Sequence, residues 1–512
     1  MKRFARIASK VAVLLMTVLM LLSLGAGCGE GTGDPEDKTE LIIGLGRDFF
    51  YGPEDRSFLH GSTNVWESLT YLNENLVAEP WLAESITPSA DGKVWTFALR
   101  EGITFHDGSA LDAEVVQKNL LRLSRHPATS EAYRDLDEIV VTGPLTVEVK
   151  LAVPSPSFPE LISYFNSAIF SAKALDDDGT RLEAPVGTGP YIFDERGEDT
   201  IYLKAFEDYW NGTPSIEKVV FHHIPDENTR IAALQSGEVD VLADVGVILP
   251  EQVPLLEADP NIQLFTADVL TSVYLIFQTE KAPFNKPELR QAVSLLIERE
   301  ELVEKLLEGY GKPAVGLLSP LAETWNNPAA APTCDPSAAK ELFEKNLADD
   351  ENEIEILVNA NWARRWPMLS IAQYLQTELG NLGFTATLRN LEMGAFNDAA
   401  ESGEFHLSLS PWTGSEPDDF FSEWIHSEGG FNSSRGINFS NAQADELIRK
   451  AAGEMDLKKR RGLYADLQIL VAENAPIVPL YHDVTVYATR KNVEDFTIDF
   501  EFRPDLHKAR LR

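Results

Sequence analysis

Short apolar runs and segments of helical periodicity alternate along the chain from residue 41 onwards. Apolar runs between turn residues predict buried strands, whereas apolar residues three and four positions apart predict helices. Strands are predicted at 41–45, 94–99, 103–105, 200–206, 219–224, 239–245, 272–279, 353–360, 384–391, 405–411 and 477–489. Helices are predicted at 58–71, 115–123, 227–236, 287–307, 368–382 and 443–474. Strands that alternate with helices indicate an α/β sheet.

Between residues 79 and 183 the pattern changes to strands separated by tight turns. The turn pairs are Asp91-Gly92 and Asp107-Gly108, and Asp112 is placed to cap a helix. The segment 139–151, IVVTGPLTVEVKL, predicts a hairpin. The pattern therefore predicts two α/β lobes and a smaller α+β unit, without internal repeats.

The first 27 residues have the pattern of an export signal. Four basic residues precede Val11–Leu24, an uncharged and mostly apolar run, which is shorter than the about 20 residues of a spanning helix. Small residues followed by Cys28 look like the lipobox of bacterial lipoproteins, although Gly25 stands where an aliphatic residue is usual. This resemblance implies a diacylated Cys28. Ordinary signal cleavage and a disulfide with Cys334 are the alternatives.

Residues 28–40 contain almost no apolar side chain, so they predict a flexible tether that reaches roughly 20 Å. Removal of the first 27 residues leaves 40 basic against 81 acidic residues, a net charge of −41. Such a charge argues against nucleic acid, whose phosphates must be neutralised by Lys and Arg. It also disfavours adsorption on anionic lipid. An acyl chain on Cys28 would then be the membrane contact.

The sequence carries no strong signature of catalysis. G-x-S-x-G, H-E-x-x-H and C-x-x-C are absent, and His222 and His223 are predicted to point to opposite faces of one strand. The segment 187–190, GTGP, lacks the spacing of a P-loop and predicts a turn entering a strand. We therefore expect a protein that is not an enzyme and has no cofactor, with a peptide hydrolase as a remote alternative.

Five separated blocks resemble the peptide/nickel/opine solute-binding proteins of ABC importers (bacterial extracellular solute-binding protein family 5). They are Pro80–Val116, Ala184–Phe193, Tyr209–Val241, Lys281–Glu300 and Trp412–Ile448. The resemblance implies a two-lobed α/β fold of the periplasmic-binding-protein type (class II, three domains). Lobe I would comprise 41–267, with a subdomain at about 79–183, and 479–512; lobe II would comprise 268–478. A solute held between the lobes would favour the closed state.

The same resemblance implies an extracytoplasmic lipoprotein on the periplasmic or extracellular face of the cell membrane. It would act as a monomer and deliver a small solute to ABC permease and ATPase subunits. The solute would be a dipeptide, an oligopeptide or a nickel chelate. A nickel-chelate-specific protein is the alternative. A naked nickel ion is disfavoured because the nine histidines form no cluster with ligand spacing.

The ligand contacts implied by the resemblance lie mainly after the strand FHLSLSP. In peptide binders of the family an aspartate there pairs with the α-amino group, which points to Asp418 or Asp419; helix capping by Asp419 is the alternative. Trp412 could form an aromatic wall or pack in the core, and Thr413 stands where the nickel-binding branch has an aromatic residue.

Further candidates come from loops that follow predicted strands. His426 could approach a metal chelate and Arg435 could hold a carboxylate bidentately. The segment 359–367, NANWARRWP, offers Trp362, Arg364 and Arg365, and Tyr51 and His60 follow the first strand, where open α/β sheets often bind ligands. For each of the charged residues a surface position is the alternative.

Overall fold

The computed structural model describes residues 39–47, 64–126, 129–176, 178–348, 351–414 and 416–512, and only the backbone of Tyr164, Phe165 and Arg364. The predicted signal, Cys28 and most of the tether lie outside the described residues, as do Tyr51 and His60. Thr39–Arg512 forms one compact unit.

Strands of the described residues are numbered here in chain order. They are β1 (Glu40–Leu45), β2 (Glu67–Ser68), β3 (Thr70–Leu72), β4 (Ala78–Pro80), β5 (Ala83–Pro88), β6 (Val94–Leu99), β7 (Leu136–Gly143), β8 (Thr146–Leu151), β9 (Ala168–Ile169), β10 (Tyr191–Arg196), β11 (Thr200–Ala205), β12 (Lys218–His223), β13 (Val241–Leu242), β14 (Ile262–Phe277), β15 (Gly311–Pro313), β16 (Glu353–Asn359), β17 (Thr385–Leu391), β18 (Leu407–Thr413), β19 (Ile477–Arg490), β20 (Val493–Glu494) and β21 (Arg510–Leu511).

The helices are numbered in the same way, and short 3₁₀ turns connect several of these elements. They are α1 (Ala113–Leu123), α2 (Phe158–Leu161), α3 (Glu227–Ser236), α4 (Val253–Glu257), α5 (Pro287–Leu296), α6 (Arg299–Leu306), α7 (Pro336–Asn346), α8 (Met368–Asn381), α9 (Met393–Glu401), α10 (Pro417–Trp424), α11 (Gly430–Ser434), α12 (Ala442–Ala452) and α13 (Leu457–Asn474).

Two long strands, β14 and β19, join the two wings of the main sheet. The order in the described part of the chain is β10-β11-β12-β1-β13-β19-β14-β18-β16-β17, with β15 added to β19. We call β10 to β13 with β1 the first wing, and β18, β16 and β17 the second wing. Residues 262–268 of β14 pair with 484–490 of β19, and the register shifts between Asp268 and Ser272 before pairing resumes. The wings thus meet at a local irregularity of both long strands.

Core clusters cover both faces of each wing, which explains why the strands of the wings have nearly continuous apolar sequences. In β1, Ile43 belongs to the core cluster that contains Phe221, whereas Ile42 packs against the cluster on the other face. In β16, Ile356 and Leu357 likewise belong to different clusters. The α/β prediction for both regions is confirmed by this arrangement.

The small unit, residues 79–183, contains a separate antiparallel sheet of order β5-β6-β8-β7. Helix α1 packs on this sheet, where Val116 and Leu120 join a cluster with Phe97 and Val149. The side chain of Asp112 accepts a hydrogen bond of 2.9 Å from the Val115 N–H, as expected for a cap. The predicted hairpin is formed by β7 and β8.

Several predicted elements differ from the structure. The described part of the predicted helix 58–71 contains β2 and the start of β3 instead of a helix, because β2 pairs with the distant β9 and β3 with β4. The predicted strands at 103–105 and 239–245 shrink to an isolated bridge at Thr104 and to β13.

Two predicted helices are interrupted. The helix at 287–307 divides into α5 and α6, where the buried Arg299 donates through Nε to the Pro479 carbonyl oxygen at 2.8 Å. The helix at 443–474 divides into α12 and α13, and the Asp456 side chain caps α13 by accepting from the Lys458 and Lys459 N–H groups. Tertiary contact and local capping thus overrode the helical pattern.

Candidate functional site

A cavity of about 800 Å³ lies between the small unit and the helices α10 and α12. These helices pack in one core cluster with residues of β16 and β18, and we call this part of the molecule the second-wing side. Its charged lining is mainly acidic, because five carboxyl groups face two arginines. The carboxyl groups are those of Glu131, Asp135, Asp418, Glu423 and Glu428, and the arginines are Arg134 and Arg449. Such a lining attracts a cationic group. The predicted residues Asp418 and His426 both line it.

Helix α10 places Asp418 and Asp419 in its first turn. Its cap is Glu416, whose carboxylate accepts from the Asp418 N–H at 3.0 Å, so the alternative of capping by Asp419 is wrong. Asp418 is only 1% exposed. Its Oδ2 accepts from Arg460 Nη2 at 2.5 Å and from the Ser157 hydroxyl, whereas its Oδ1 has no hydrogen-bond partner. One oxygen of the Asp418 carboxylate is therefore engaged within the protein, and the other is not.

Carboxyl groups crowd around the guanidinium of Arg460. Arg460 Nη2 also contacts Glu416 Oε1 at 2.9 Å, and Glu160 is close enough to interact with Arg460 and Asp418 electrostatically. Burial raises the pKa of Glu416 to about 8, with Arg460 partly opposing this rise. Burial likewise raises the pKa of Glu160.

Glu423 and His426 lie on the cavity wall. The pKa of Glu423 is raised to about 7, mainly by burial and then by the neighbouring charges of Glu131 and Asp419. His426 Nδ1 accepts a hydrogen bond of 3.1 Å from the Glu428 N–H. The role of His426 in binding a metal chelate stays a prediction. The contact of Asp418 or Asp419 with the solute also stays a prediction.

Trp412 packs inside the second-wing core, 7% exposed, with its ring centroid 4.8 Å from that of Phe420. A Cβ atom on Gly414 would lie 2.3 Å from the Trp412 ring, so the backbone there passes directly over the indole. Thr413 is exposed, and its hydroxyl lies 2.6 Å from that of Thr271. This geometry fits the core alternative for Trp412, while its role as a ligand wall stays untested.

Trp362 and Arg435, predicted separately, are brought together. The Arg435 guanidinium lies 4.8 Å from the centre of the Trp362 ring and 5.4 Å from that of Phe431. Its Nε is buried without a hydrogen-bond partner, and burial lowers the pKa of Arg435. Trp362 begins the 3₁₀ turn Trp362–Arg364, and the side chain of Arg364 lies outside the described residues.

A second cluster of charged residues contains Arg47, Arg230, Asp244 and Arg365, of which only Arg365 was predicted from the sequence. Arg47 follows β1 and donates through Nε to Asp244, which follows β13, at 2.7 Å. Arg230 is 4% exposed and donates to the carbonyl oxygens of Ile224 and Pro225. Arg365 approaches from the loop after β16. Since Arg47 and Asp244 stand at the carboxyl ends of strands in an open sheet, the strand pattern could have found them.

Arg365 has a half-buried side chain, and no hydrogen bond or ion pair of its guanidinium is formed with the described residues. Burial lowers the pKa of Arg365, and Arg47 lowers it further, while Asp244 partly opposes the shift. A Cβ on Gly246 would lie 2.7 Å from the Arg365 carbonyl oxygen, so the two segments touch. Among the described residues, three arginines thus lie around one aspartate, an arrangement suited to a carboxylate.

Glu67 is a buried residue that the sequence did not single out. Its Oε1 accepts from Trp81 Nε1 at 2.8 Å and from the Tyr209 hydroxyl at 2.7 Å. Its Oε2 accepts from the Thr188 hydroxyl at 2.7 Å and from Trp210 Nε1 at 2.9 Å. Because Trp81 lies in the small unit and the other three donors lie outside it, this carboxylate joins the two.

The described residues contain neither a metal-binding cluster nor a membrane-spanning helix. Among them, no group of three or more His, Cys, Asp and Glu side chains is arranged to hold a metal ion. None of their helices has the length and apolar character needed to cross a membrane. Cys334 is exposed there as a free thiol.

Comparison with known proteins gives a consistent result. The model of the family described as bacterial extracellular solute-binding proteins, family 5 Middle, matches residues 77–432. Glutathione-binding protein GsiB of Escherichia coli strain K12 is 28% identical over 481 residues, covering 90% of this chain and 92% of that protein. GsiB of Salmonella paratyphi A is 26% identical over 488 residues with the same coverage.

Solved structures share the fold. The ABC transporter substrate-binding protein CtaP of Listeria monocytogenes superposes with a TM-score of 0.82 at 25% identity, covering 93% of this chain and 100% of that one. NikA of Brucella suis, in complex with Fe(III)-EDTA, has a TM-score of 0.82 at 22% identity, covering 92% of this chain and 100% of that one. The second likeness concerns the fold alone.

Proposed function

Since the chain belongs to family 5 of the bacterial extracellular solute-binding proteins, we propose that its solute is a short peptide or peptide-like molecule with a free carboxylate. The chain is the extracytoplasmic substrate-binding component of an ABC importer and not an enzyme, as the sequence predicted. Its fold is the two-lobed α/β fold of periplasmic binding proteins. The peptide class is supported by the GsiB relatives, which cover most of the chain. Nickel is not favoured, because the likeness to NikA concerns the fold alone.

The observation that carries the proposal is the guanidinium of Arg365, which lacks a hydrogen-bonded partner among the described residues, beside Arg47 and Arg230. In a chain of formal net charge −37, a local excess of positive charge is unusual. A solute carboxylate would receive paired N–H donors from Arg365 and offset the repulsion among the three guanidinium groups. The acidic cavity near Asp418 would in turn attract the ammonium group of the same class of solute.

The test uses protein freed of co-purified solute by unfolding and refolding, with glutathione and a set of di- and tripeptides as probes. We expect binding by calorimetry of at least one probe, and a loss of about 10- to 100-fold when its carboxylates are amidated. Arg365→Gln should cause a similar loss, whereas the exposed Arg510→Gln should not. Equal binding of the acid and the amide would contradict the carboxylate site.

Two further features belong to the same proposal. The lobes would comprise 41–267 with 479–512, and 268–478, with β14 and β19 as the crossings between them. The irregular register between Asp268 and Ser272 supports a hinge there.

Cys28 would carry the lipid anchor of a monomeric protein. Cys28→Ala should release the protein from membranes, and retention of this variant would contradict the anchor.

A further inference from the structure

We infer that closing the small unit against the second-wing side takes up one proton in a buried cluster of Glu160, Glu416, Asp418 and Arg460, here called the clasp. The inference rests on the proposed function in one respect, since closure is the step that captures the solute. It gives that capture a pH dependence.

The clasp spans two parts of the molecule. Glu160 lies on α2 of the small unit, and Glu416 and Asp418 lie at the start of α10. Arg460 lies on α13 and contacts both of the latter carboxylates, at 2.9 Å and 2.5 Å. The Ser157 hydroxyl, just before α2, donates across the boundary to Asp418. Separation of the two sides would therefore take Ser157 and Glu160 away from the other three residues and expose the cluster to water.

The clasp contains more negative than positive charge. Its three carboxyl groups face a single guanidinium, while Arg460, Asp418 and Glu416 are only 4%, 1% and 7% exposed. Glu160 Oε2 and Asp418 Oδ1 are buried without a hydrogen-bond partner. A buried and uncompensated pair of negative charges is costly, so one carboxyl group is expected to hold a proton.

No second cation among the described residues forms an ion pair with the clasp. Arg134 is attracted to Asp418, but it is already paired with Glu131 at 2.8 Å and lies near Asp135. The Ala78 N–H donates to Glu160 Oε1 at a long 3.3 Å. Arg460 itself is buried, and its guanidinium lies 5.0 Å from the centre of the Trp325 ring and 5.7 Å from that of Tyr464. The proton is thus held by Glu160 and Glu416, the two carboxyl groups whose pKa values burial raises.

The direction of the pH effect follows from burial. In the closed arrangement burial raises the pKa of Glu160 and raises that of Glu416 to about 8, from an ordinary value of 4.5. When the two sides separate, water reaches these groups and their pKa values fall. The closed form therefore binds an extra proton between these limits. The closing constant should fall by about tenfold for each unit of rising pH in that interval.

Small-angle scattering of the full mature chain without added solute tests this inference. We expect the radius of gyration of the wild-type protein to increase from pH 5.5 to pH 8.5 while circular dichroism stays constant. Glu160→Gln removes one charge from the clasp, so this variant should stay contracted at both pH values. The exposed Glu101→Gln is the matched control and should behave as wild type.

Two scattering results would contradict proton uptake by the clasp. A wild-type radius that is independent of pH overturns the inference, as does an equal expansion of wild type and Glu160→Gln. The wild-type series alone suffices if Glu160→Gln does not fold. The scattering experiment contains no solute, so it tests the clasp independently of the proposed solute. If the protein contracts at acidic pH but binds neither glutathione nor any of the peptides, the clasp is supported and the proposed solute is refuted.

Discussion

Two buried carboxyl sites hold the small unit to the rest of the molecule, and they are built in opposite ways. Glu67 accepts four hydrogen bonds from neutral donors, two on each oxygen. The clasp instead places three carboxyl groups around one guanidinium and leaves two carboxylate oxygens without a partner. Both sites are buried, yet only one is fully satisfied.

This difference separates a permanent joint from a reversible one. Separation at Glu67 would take the Trp81 N–H away from a carboxylate that keeps its other three donors, and the orphaned indole N–H would be costly without any gain from relieved charge repulsion. A crowded set of carboxyl groups gains hydration when it opens, which offsets part of the lost contacts. We therefore expect the Glu67 side of the small unit to move with the first wing, and the clasp side to open.

The largest expected effect comes from Arg460→Met, which removes the single cation of the clasp. Loss of one partner from a buried ion pair costs about 3–5 kcal/mol of unfolding free energy. The loss should be greater at pH 8 than at pH 5, because protonation of the carboxyl groups at low pH relieves their repulsion. Urea unfolding at both pH values checks this. Arg461→Met is the control, since Arg461 is exposed and faces the same Trp325 ring; an equal loss in both variants would contradict the role of the clasp.

Glu67→Gln should have the next largest effect. Each carboxylate oxygen accepts from one indole N–H, so either orientation of the amide places its NH₂ group against a tryptophan donor that cannot accept. One orphaned donor pair should cost about 2–3 kcal/mol of unfolding free energy. Urea unfolding measures it, with the exposed Glu84→Gln as control. A change below that of the control would show that the joint is not maintained by these donors.

Ser157→Ala removes the hydroxyl that donates across the boundary to Asp418. We expect a loss of about 1 kcal/mol, because Arg460 still contacts the same carboxylate. The radius of gyration at pH 5.5 should also increase slightly. The exposed Ser440→Ala should change neither quantity. A loss as large as that of Arg460→Met would mean that the hydroxyl, rather than the guanidinium, holds the clasp.

The smallest effect should have the opposite sign. Glu160→Gln removes one excess charge while its amide oxygen still accepts from the Ala78 N–H, so the variant should gain about 1 kcal/mol at pH 8. At pH 5 the gain should vanish, because the clasp then already holds its proton. Thermal unfolding at the two pH values checks this. Destabilisation at pH 8 would show that Glu160, like Glu67, is stabilising as a carboxylate, and it would contradict the excess of negative charge in the clasp.

Much of the fold was predictable from the local pattern. The strands β1, β6, β12 and β16 and the helices α3 and α8 coincide closely with the predicted segments. The predictions failed where pairing with a distant segment determined the secondary structure. An example is Glu67–Ser68, which forms a strand because it pairs with Ala168–Ile169. Among the candidate site residues, Asp418, Trp362 and Arg435 were predicted from the sequence. The stacking of Arg435 on Trp362 was not predicted.

The sequence by itself determined the periodic elements, the family and the strongly acidic charge, because each depends on residue type and short-range spacing. Only the tertiary structure decided which buried charges meet. Ser157 and Asp418 are 261 positions apart, and Glu67 and Trp210 are 143 apart. The strength of such contacts depends on burial and on the partners within a few ångströms, which no local pattern contains.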